Sequence, residues 1–243
     1  MRLCSSASQS RLAPRQFDFG LKFVILGETS RMTHHAVREI PYMNELVTQT
    51  VYFAQPGKEN TDRTLELARA RAEALGIRTA IVATTSGATA VRAAELLPGF
   101  TIVAVTHSAG FRGPDTQDLL PEHAARLAEL GVRVLTCQHA FGGVGRAVRK
   151  LWGTYQLDEI IAQTLRLFGQ GMKVAFEIAL MAADAGFVST QAPALAIAGS
   201  SHGADTAVLL IPANAQTFFE LKPLEIICMP SPSHPGFGSQ MGS

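Results

Sequence analysis

Residues 80–90 read Ala-Ile-Val-Ala-Thr-Thr-Ser-Gly-Ala-Thr-Ala, and this stretch decides the fold of the chain. An apolar run stops at three hydroxyl side chains and a glycine, and residues 88–97 then have a helical pattern. The stretch therefore predicts a strand, a tight turn and a helix N-terminus. Such a turn offers backbone N–H groups, hydroxyl donors and the positive end of a helix dipole, which suit a phosphate. Helix capping by the same hydroxyls is the alternative at this point.

Composition and charge narrow the class of protein. The chain has 243 residues, of which 47% are hydrophobic, so it can bury a substantial core. It has 21 Lys and Arg against 20 Asp and Glu, so we expect neither a nucleic-acid nor a membrane partner. No apolar run approaches the roughly 20 residues that span a bilayer. Its three cysteines are widely spaced, and no Cys or His pair has metal-ligand spacing. We expect free thiols, no metal and a cytoplasmic location.

The two ends of the chain differ from its middle. Residues 1–42 hold six Lys and Arg against three Asp and Glu. We interpret them as a disordered or mis-assigned N-terminal extension, with Met43 as the alternative start, in preference to a transit peptide. Residues 231–243 are rich in Pro, Gly and Ser, which predicts a disordered tail. We expect a single domain over residues 45–230.

Strand-like and helical patterns alternate from residue 50 onward. The strands are predicted at 51–53, 80–83, 100–106, 132–137, 193–198, 206–211 and 224–229, and the helices at 61–75, 88–97, 122–130, 157–168 and 172–185. This order predicts an α/β protein, a three-layer sandwich around a mostly parallel sheet. The short turn between the strands at 193–198 and 206–211 makes that pair antiparallel, so the sheet is mixed. The Gly-rich stretch 142–145, which precedes Arg146, is interpreted as a loop.

Polar turns follow three of the predicted strands, at 84–89, 106–110 and 199–205. In open α/β sheets, ligands bind outside the carboxyl ends of the parallel strands. If these strands are parallel, the three turns converge at one edge. We therefore expect His107, which directly follows a strand, to contact a ligand there.

A nucleophile-elbow pattern lies in the third turn. Gly199-Ser200-Ser201-His202-Gly203 matches G-x-S-x-G, with Ser201 in the reactive position. An elbow needs a helix directly after it, whereas the strand pattern at 206–211 follows here. Asp205 and His234 are the candidate acid and histidine downstream, and His234 lies in the tail. A Gly-rich turn that donates N–H and hydroxyl groups is therefore favoured over a hydrolase.

Charged side chains interrupt an apolar helical stretch. Lys173, Glu177 and Asp184 are spaced to share one helix face, and nearly all their neighbours are apolar. A buried carboxylate needs a partner, which Lys173 can supply to Glu177. The pair is either half exposed on the surface or directed into a polar pocket.

Several motifs together resemble a known family. They are Tyr52-Phe53, Pro56-Gly57, Glu59-Asn60-Thr61, Thr64-Leu65, Thr84–Ala90, Met181–Asp184, Gly203–Val208 and Glu225–Pro230. The chain is similar, over about residues 50–229, to uncharacterised stand-alone proteins that resemble the pyruvate kinase C-terminal (alpha/beta) domain. In pyruvate kinase, the counterpart of Thr84–Ala90 binds a phosphate of the allosteric sugar bisphosphate, and the counterpart of Gly199–Thr206 covers that effector. The resemblance thus implies a pyruvate kinase C-terminal-domain-like fold.

The resemblance also implies a function. The catalytic barrel of pyruvate kinase has no room in this chain, so kinase activity is not expected. Stand-alone members are similar to flavin mononucleotide (FMN) binders, so we expect a small phosphorylated ligand, FMN first and a sugar phosphate second. The residues expected to contact it are Thr84, Thr85, Ser86, Gly87, Thr89, His107, Gly199, Ser200, Ser201, Gly203, Asp205 and Thr206.

Other functions are compatible with the same residues. The main alternative is an enzyme that uses the same pocket, either a flavin-dependent oxidoreductase or, with less support, a Ser201 hydrolase. A module that senses a metabolite would have the same sequence features. A homo-oligomer is also compatible with the sequence.

Overall fold

The computed structural model describes residues 45–237, which form one seven-stranded sheet with helices on both faces. The strands are β1 Val51–Phe53, β2 Thr79–Ala83, β3 Thr101–Val105, β4 Arg133–Leu135, β5 Ala194–Ala198, β6 Thr206–Ile211 and β7 Lys222–Pro230. Their order across the sheet is β1-β7-β6-β5-β2-β3-β4. Strand β6 is antiparallel to both of its neighbours, and the other pairs are parallel. The predicted mixed, mostly parallel sheet is confirmed.

Six α-helices lie in the described part of the chain and complete the three layers. They are α1 Thr61–Ala74, α2 Ala88–Leu96, α3 Pro121–Glu129, α4 Val144–Trp152, α5 Leu157–Leu165 and α6 Gln170–Asp184. Ala80 and Val82 of β2 pack with α1, α2 and α3, whereas Ile81 packs with α6 on the opposite face. This division follows from the two-residue period of a strand, which sends successive side chains to opposite faces.

Helix α4 corrects the interpretation of residues 142–145 as a loop. Gly143 directly precedes the helix, whose first residues Val144 and Gly145 belonged to the expected loop. The apolar residues of α4 do recur at helical spacing, at positions 144, 147, 148, 151 and 152, but none of them is buried in the core, and Val144 is 72% exposed. Tertiary contacts hold it instead. A Cβ at Gly145 would overlap the Asp158 carboxylate, so α4 packs closely against α5 at this glycine.

The two ends of the chain lie mostly outside the described residues. The interpretations of residues 1–42 and of the tail residues 238–243 concern this part. Within the tail, the Ser231 amide donates to the carbonyl of Phe53 at 2.9 Å, and the His234 ring stacks on Tyr52 at 5.3 Å between centroids. None of the helices in residues 45–237 has the length and hydrophobicity that a membrane crossing requires.

Both described cysteines are free thiols. Cys228 is buried in β7, and Cys137, just beyond β4, is half-buried. Burial raises the pKa of the Cys228 thiol to about 11, so this thiol stays protonated at neutral pH.

Candidate functional site

A cavity of about 510 Å³ lies at the carboxyl edge of the sheet, where the turns after β2 and β5 meet. From β2 the chain proceeds through α2 to β3 and β4 on one side, and it reaches β5 through α6 on the other face. The boundary between β2 and β5 is therefore a topological switch point, where α/β sheets form their ligand crevice. The volume falls within the roughly 300–1,000 Å³ typical of small-molecule sites.

The hydroxyl side chains in and after the turn that follows β2 have different roles. Thr84 is buried, and its hydroxyl accepts a hydrogen bond from the Gly87 amide at 3.1 Å, so this hydroxyl supports the turn itself. No side chain caps the start of α2 by a hydrogen bond, so its first-turn amides remain available as donors. Thr85, Ser86 and Thr89 also line the cavity. The Thr84 hydroxyl thus supports the turn, and the other three hydroxyls are left for another role.

The N-terminus of α3 fixes the position of this turn. The Ser86 carbonyl accepts hydrogen bonds from the Leu120 amide at 3.1 Å and from His123 Nδ1 at 2.7 Å. Gly87 has a φ of 99°, and a Cβ there would lie 2.7 Å from Leu119 Cδ1 and would also overlap His123. Only glycine therefore fits at this position, because the place that a Cβ would take is occupied by residues 119 and 123 next to and within α3.

Asp205 holds the Gly-rich loop from beneath. Its Oδ2 accepts from the amides of Ser200 and Gly57, both at 3.1 Å, and its Oδ1 accepts from Thr206 Oγ1 at 2.9 Å. Asp205 is fully buried, so these three donors replace the hydration of its carboxyl group. The carboxylate links the turn after β5 to the loop after β1. Asp205 and Thr206 are therefore positioning residues beneath the cavity.

Glycines allow this loop to approach the segment before α1. Gly203 has a φ of 72°, and a Cβ there would lie 2.7 Å from Lys58 Cα. Next to it, the Ala204 amide donates to Thr61 Oγ1 at 3.0 Å. The close approach brings Lys58 to the rim of the cavity.

Aromatic rings form one wall of the cavity. The Phe111 and His139 rings stack with centroids 5.0 Å apart and an interplanar angle of 18°, and His107 lies 4.2 Å from Phe111. His107 Nδ1 donates to Asp118 at 2.7 Å, and this hydrogen bond, helped by Arg112, lowers the pKa of the Asp118 carboxyl. His107 Nε2 has no hydrogen-bond partner among residues 45–237. A flat apolar ring would fit against this wall.

A buried ion pair forms the floor, as Lys173 of α6 pairs with Glu177 one turn later. Both residues line the cavity, so the pair is directed into a pocket. Burial raises the pKa of Glu177, but the neighbouring His139 and Lys173 outweigh this effect and lower it to about 2. Burial lowers the pKa of Lys173, which Glu177 partly offsets. Asp184, at the end of the same helix, is exposed and accepts from the Ala215 amide instead.

The cavity lining is strongly cationic. The basic residues are Lys58, Arg92, Arg146, Arg166 and Lys173, and Glu177 is the only carboxylate in the lining. Arg92 is engaged by Asp62 at 2.8 Å, and Lys173 is paired within the floor. The remaining cations give the cavity a positive potential that favours an anion.

Nine of the twelve sequence-predicted residues line this cavity. They are Thr84, Thr85, Ser86, Thr89, His107, Gly199, Ser200, Ser201 and Gly203, whereas Gly87, Asp205 and Thr206 lie outside the lining. Sequence reasoning did not assign Phe111, His139 or the cations Lys58, Arg92, Arg146 and Arg166 to the cavity. Strand β4 is also parallel, so the carboxyl-edge rule applied to it would have found His139 just beyond its end.

The fold and the cavity together define a three-layer α/β domain with a ligand crevice at its switch point. The family model of the pyruvate kinase alpha/beta domain matches residues 62–210. The match covers more than half of the chain and includes both turns that meet at the cavity. The protein belongs to the pyruvate kinase alpha/beta domain family, as the motif resemblance implies.

Proposed function

We propose that this protein binds a small phosphorylated ligand in the cavity between β2 and β5, with FMN as the leading candidate and a sugar phosphate as the second. The observation that carries the proposal is the start of α2, where uncapped amides and the hydroxyls of Thr85, Ser86 and Thr89 face a cationic lining. A helix N-terminus of this kind favours a phosphate because its free N–H groups and its dipole both attract negative charge.

The residues present also fit the remainder of FMN. Thr85, Ser86 and Thr89 would hold the phosphate, and the stacked Phe111 and His139 rings offer a flat surface for the flavin. The cavity volume of about 510 Å³ suits a ligand of nucleotide size. When bound, FMN supplies the capacity to accept and return electrons.

Binding of FMN to the purified protein, followed by quenching of flavin fluorescence, tests the proposal. The double variant Ser86→Ala, Thr89→Val removes two hydroxyls, so we expect FMN affinity to fall by about tenfold or more. Thr101→Val is the matched control, because Thr101 is exposed at the opposite edge of the sheet. We expect this control to leave affinity within about twofold of the wild type.

Two results would count against the proposal. Absence of FMN binding to the wild-type protein would exclude FMN as the ligand. Titration with ribose 5-phosphate would then test the sugar-phosphate candidate. Equal affinities in the wild type and the double variant would mean that the turn does not bind phosphate.

An enzyme that uses the same pocket is the second candidate, and His107 favours it. The ring lines the cavity, its Nδ1 is held by Asp118, and its Nε2 has no partner among the described residues. An imidazole held in this way can accept or donate a proton. If the protein is a flavin-dependent oxidoreductase, it should accelerate bleaching of FMN by NADH, and His107→Asn should slow this rate. Bleaching no faster than that of free FMN contradicts the candidate.

Ser201 has less support as a nucleophile. Strand β6 follows its loop in place of a helix, and both oxygens of Asp205 are occupied by hydrogen bonds. A serine-reactive fluorophosphonate probe tests this alternative directly. Stoichiometric labelling of Ser201 would favour a hydrolase.

A further inference from the structure

A second cavity, of about 360 Å³, lies between α4 and α5. Its basic lining residues are Arg146, Arg149, Lys150 and Arg166, and Glu159 is its only carboxylate. Arg146 and Arg166 line both cavities, so the two cavities adjoin. The excess of cations again favours an oxyanion. None of the motifs that carry the family resemblance contributes to this second lining.

The guanidinium group of Arg149 is held in place at the lining of this cavity. Its Nε donates to Glu159 Oε1 at 2.7 Å, and its guanidinium lies 5.4 Å from the centre of the Tyr155 ring. These contacts hold the guanidinium on two sides, and no residue among 45–237 accepts a hydrogen bond from its terminal Nη groups, which can therefore donate to an anion. Planar, pre-oriented guanidinium groups bind oxyanions through paired hydrogen bonds.

Glu159 supplies the observation that identifies the anion. Its side chain is 9% exposed, and its Oε2 is buried without a hydrogen-bond partner among residues 45–237. A buried carboxylate oxygen left without a donor costs free energy, so the site lacks a proton donor. The four cations attract an anion to the same space. The fitting ligand is therefore an oxyanion that itself carries an O–H group.

We infer that the cavity between α4 and α5 binds inorganic hydrogen phosphate, with its oxygens on Arg149 and its P–OH directed to Glu159. Hydrogen phosphate keeps at least one O–H at neutral pH, whereas sulfate has none. A phosphate monoester loses its last ionisable proton with a pKa of about 6, so it is disfavoured at pH 7. The carboxylate makes the site selective, because an oxyanion without a proton can donate no hydrogen bond to Glu159 Oε2 and is repelled by it.

Calorimetric titration with phosphate and with sulfate, at pH 7 and matched ionic strength, tests this inference. To separate the two cavities, the titrations use the Ser86→Ala, Thr89→Val protein. We expect phosphate to bind about tenfold or more tightly than sulfate. Glu159→Gln replaces the acceptor by an amide that can donate, so the preference should fall below about threefold.

Arg149→Gln and a control complete the experiment. Arg149→Gln should weaken the binding of both anions by about tenfold, since it removes the guanidinium group that donates to them. Arg63→Gln makes the same charge change on α1, where Arg63 is exposed and pairs with Glu66, and should leave both affinities unchanged. If Arg149→Gln does not fold, the Glu159→Gln comparison still decides, because a ratio of two anions in one protein is independent of its stability.

Three outcomes would overturn the inference. They are equal affinities for phosphate and sulfate, a preference that survives Glu159→Gln, and tighter binding of phenyl phosphate than of inorganic phosphate at pH 7. The starting variant separates this test from that of the first cavity. Phosphate binding that is lost on changing Ser86 and Thr89 takes place at the start of α2. Phosphate binding that is lost on changing Arg149 takes place in the cavity between α4 and α5.

Discussion

Replacement of Gly87 by alanine tests how the turn after β2 is held. Gly87 has a φ of 99°, a backbone conformation that costs a residue with a side chain about 1–2 kcal/mol. The new Cβ would also lie 2.7 Å from Leu119 Cδ1 and would overlap His123. Such overpacking costs about 1–3 kcal/mol, so we expect Gly87→Ala to lower the free energy of unfolding by about 2–5 kcal/mol.

Gly76→Ala is the matched control for this substitution. Gly76 has a φ of 69°, and a Cβ there meets no atom within 4 Å, so only the backbone cost of about 1–2 kcal/mol applies. Urea unfolding followed by circular dichroism measures both variants. Equal losses of stability would refute the argument that α3 closes over the turn. Because a side chain at Gly87 alters the fold itself, Ser86 is the better position for a binding test.

Two further predictions concern buried carboxylates. Glu177 has a pKa of about 2 in the folded protein against an ordinary 4.5, so it stabilises the fold above pH 4.5, and this stability, on the order of 3 kcal/mol, is lost as pH falls toward 2. Unfolding free energies measured between pH 7 and pH 3 should therefore fall less steeply in Glu177→Gln than in the wild type, and parallel profiles would contradict the assignment. Asp205→Asn keeps the size of the side chain but presents an amide to donors, so we expect a loss of about 1–3 kcal/mol in urea unfolding. Wild-type stability in this variant would show that the loops after β1 and β5 do not depend on the carboxylate.

Much of the fold could be predicted because its signals are local. The apolar run before Thr84 and the glycine at Gly87 mark a strand end and a helix start within a few residues. The short turn before β6 is long enough only for an antiparallel return, and the structure has that pairing. Each of these features depends on neighbours in sequence, so spacing and residue type suffice.

Helix α4 shows where local signals end. Its apolar residues Val144, Leu151 and Trp152 are exposed, so they do not mark a buried face. Arg149 reaches Glu159 of α5, and this contact exists only once the two helices lie side by side. The apolar spacing within residues 144–152 indicates a helix, whereas the position of that helix against α5 depends on packing that the spacing does not show.

The sequence by itself determined the order of the elements, the polar turns that follow the strands and the helical spacing that lets Lys173 pair with Glu177. Only the tertiary structure decided which polar groups face the cavity. It directed Ser86 toward the cavity, packed α3 against Gly87 where a Cβ would lie, and placed Asp205 beneath the Gly-rich loop after β5. Spacing along the chain specifies which face of an element a residue occupies. Which groups then meet depends on how distant elements pack, and burial forces each polar group to find its partner there.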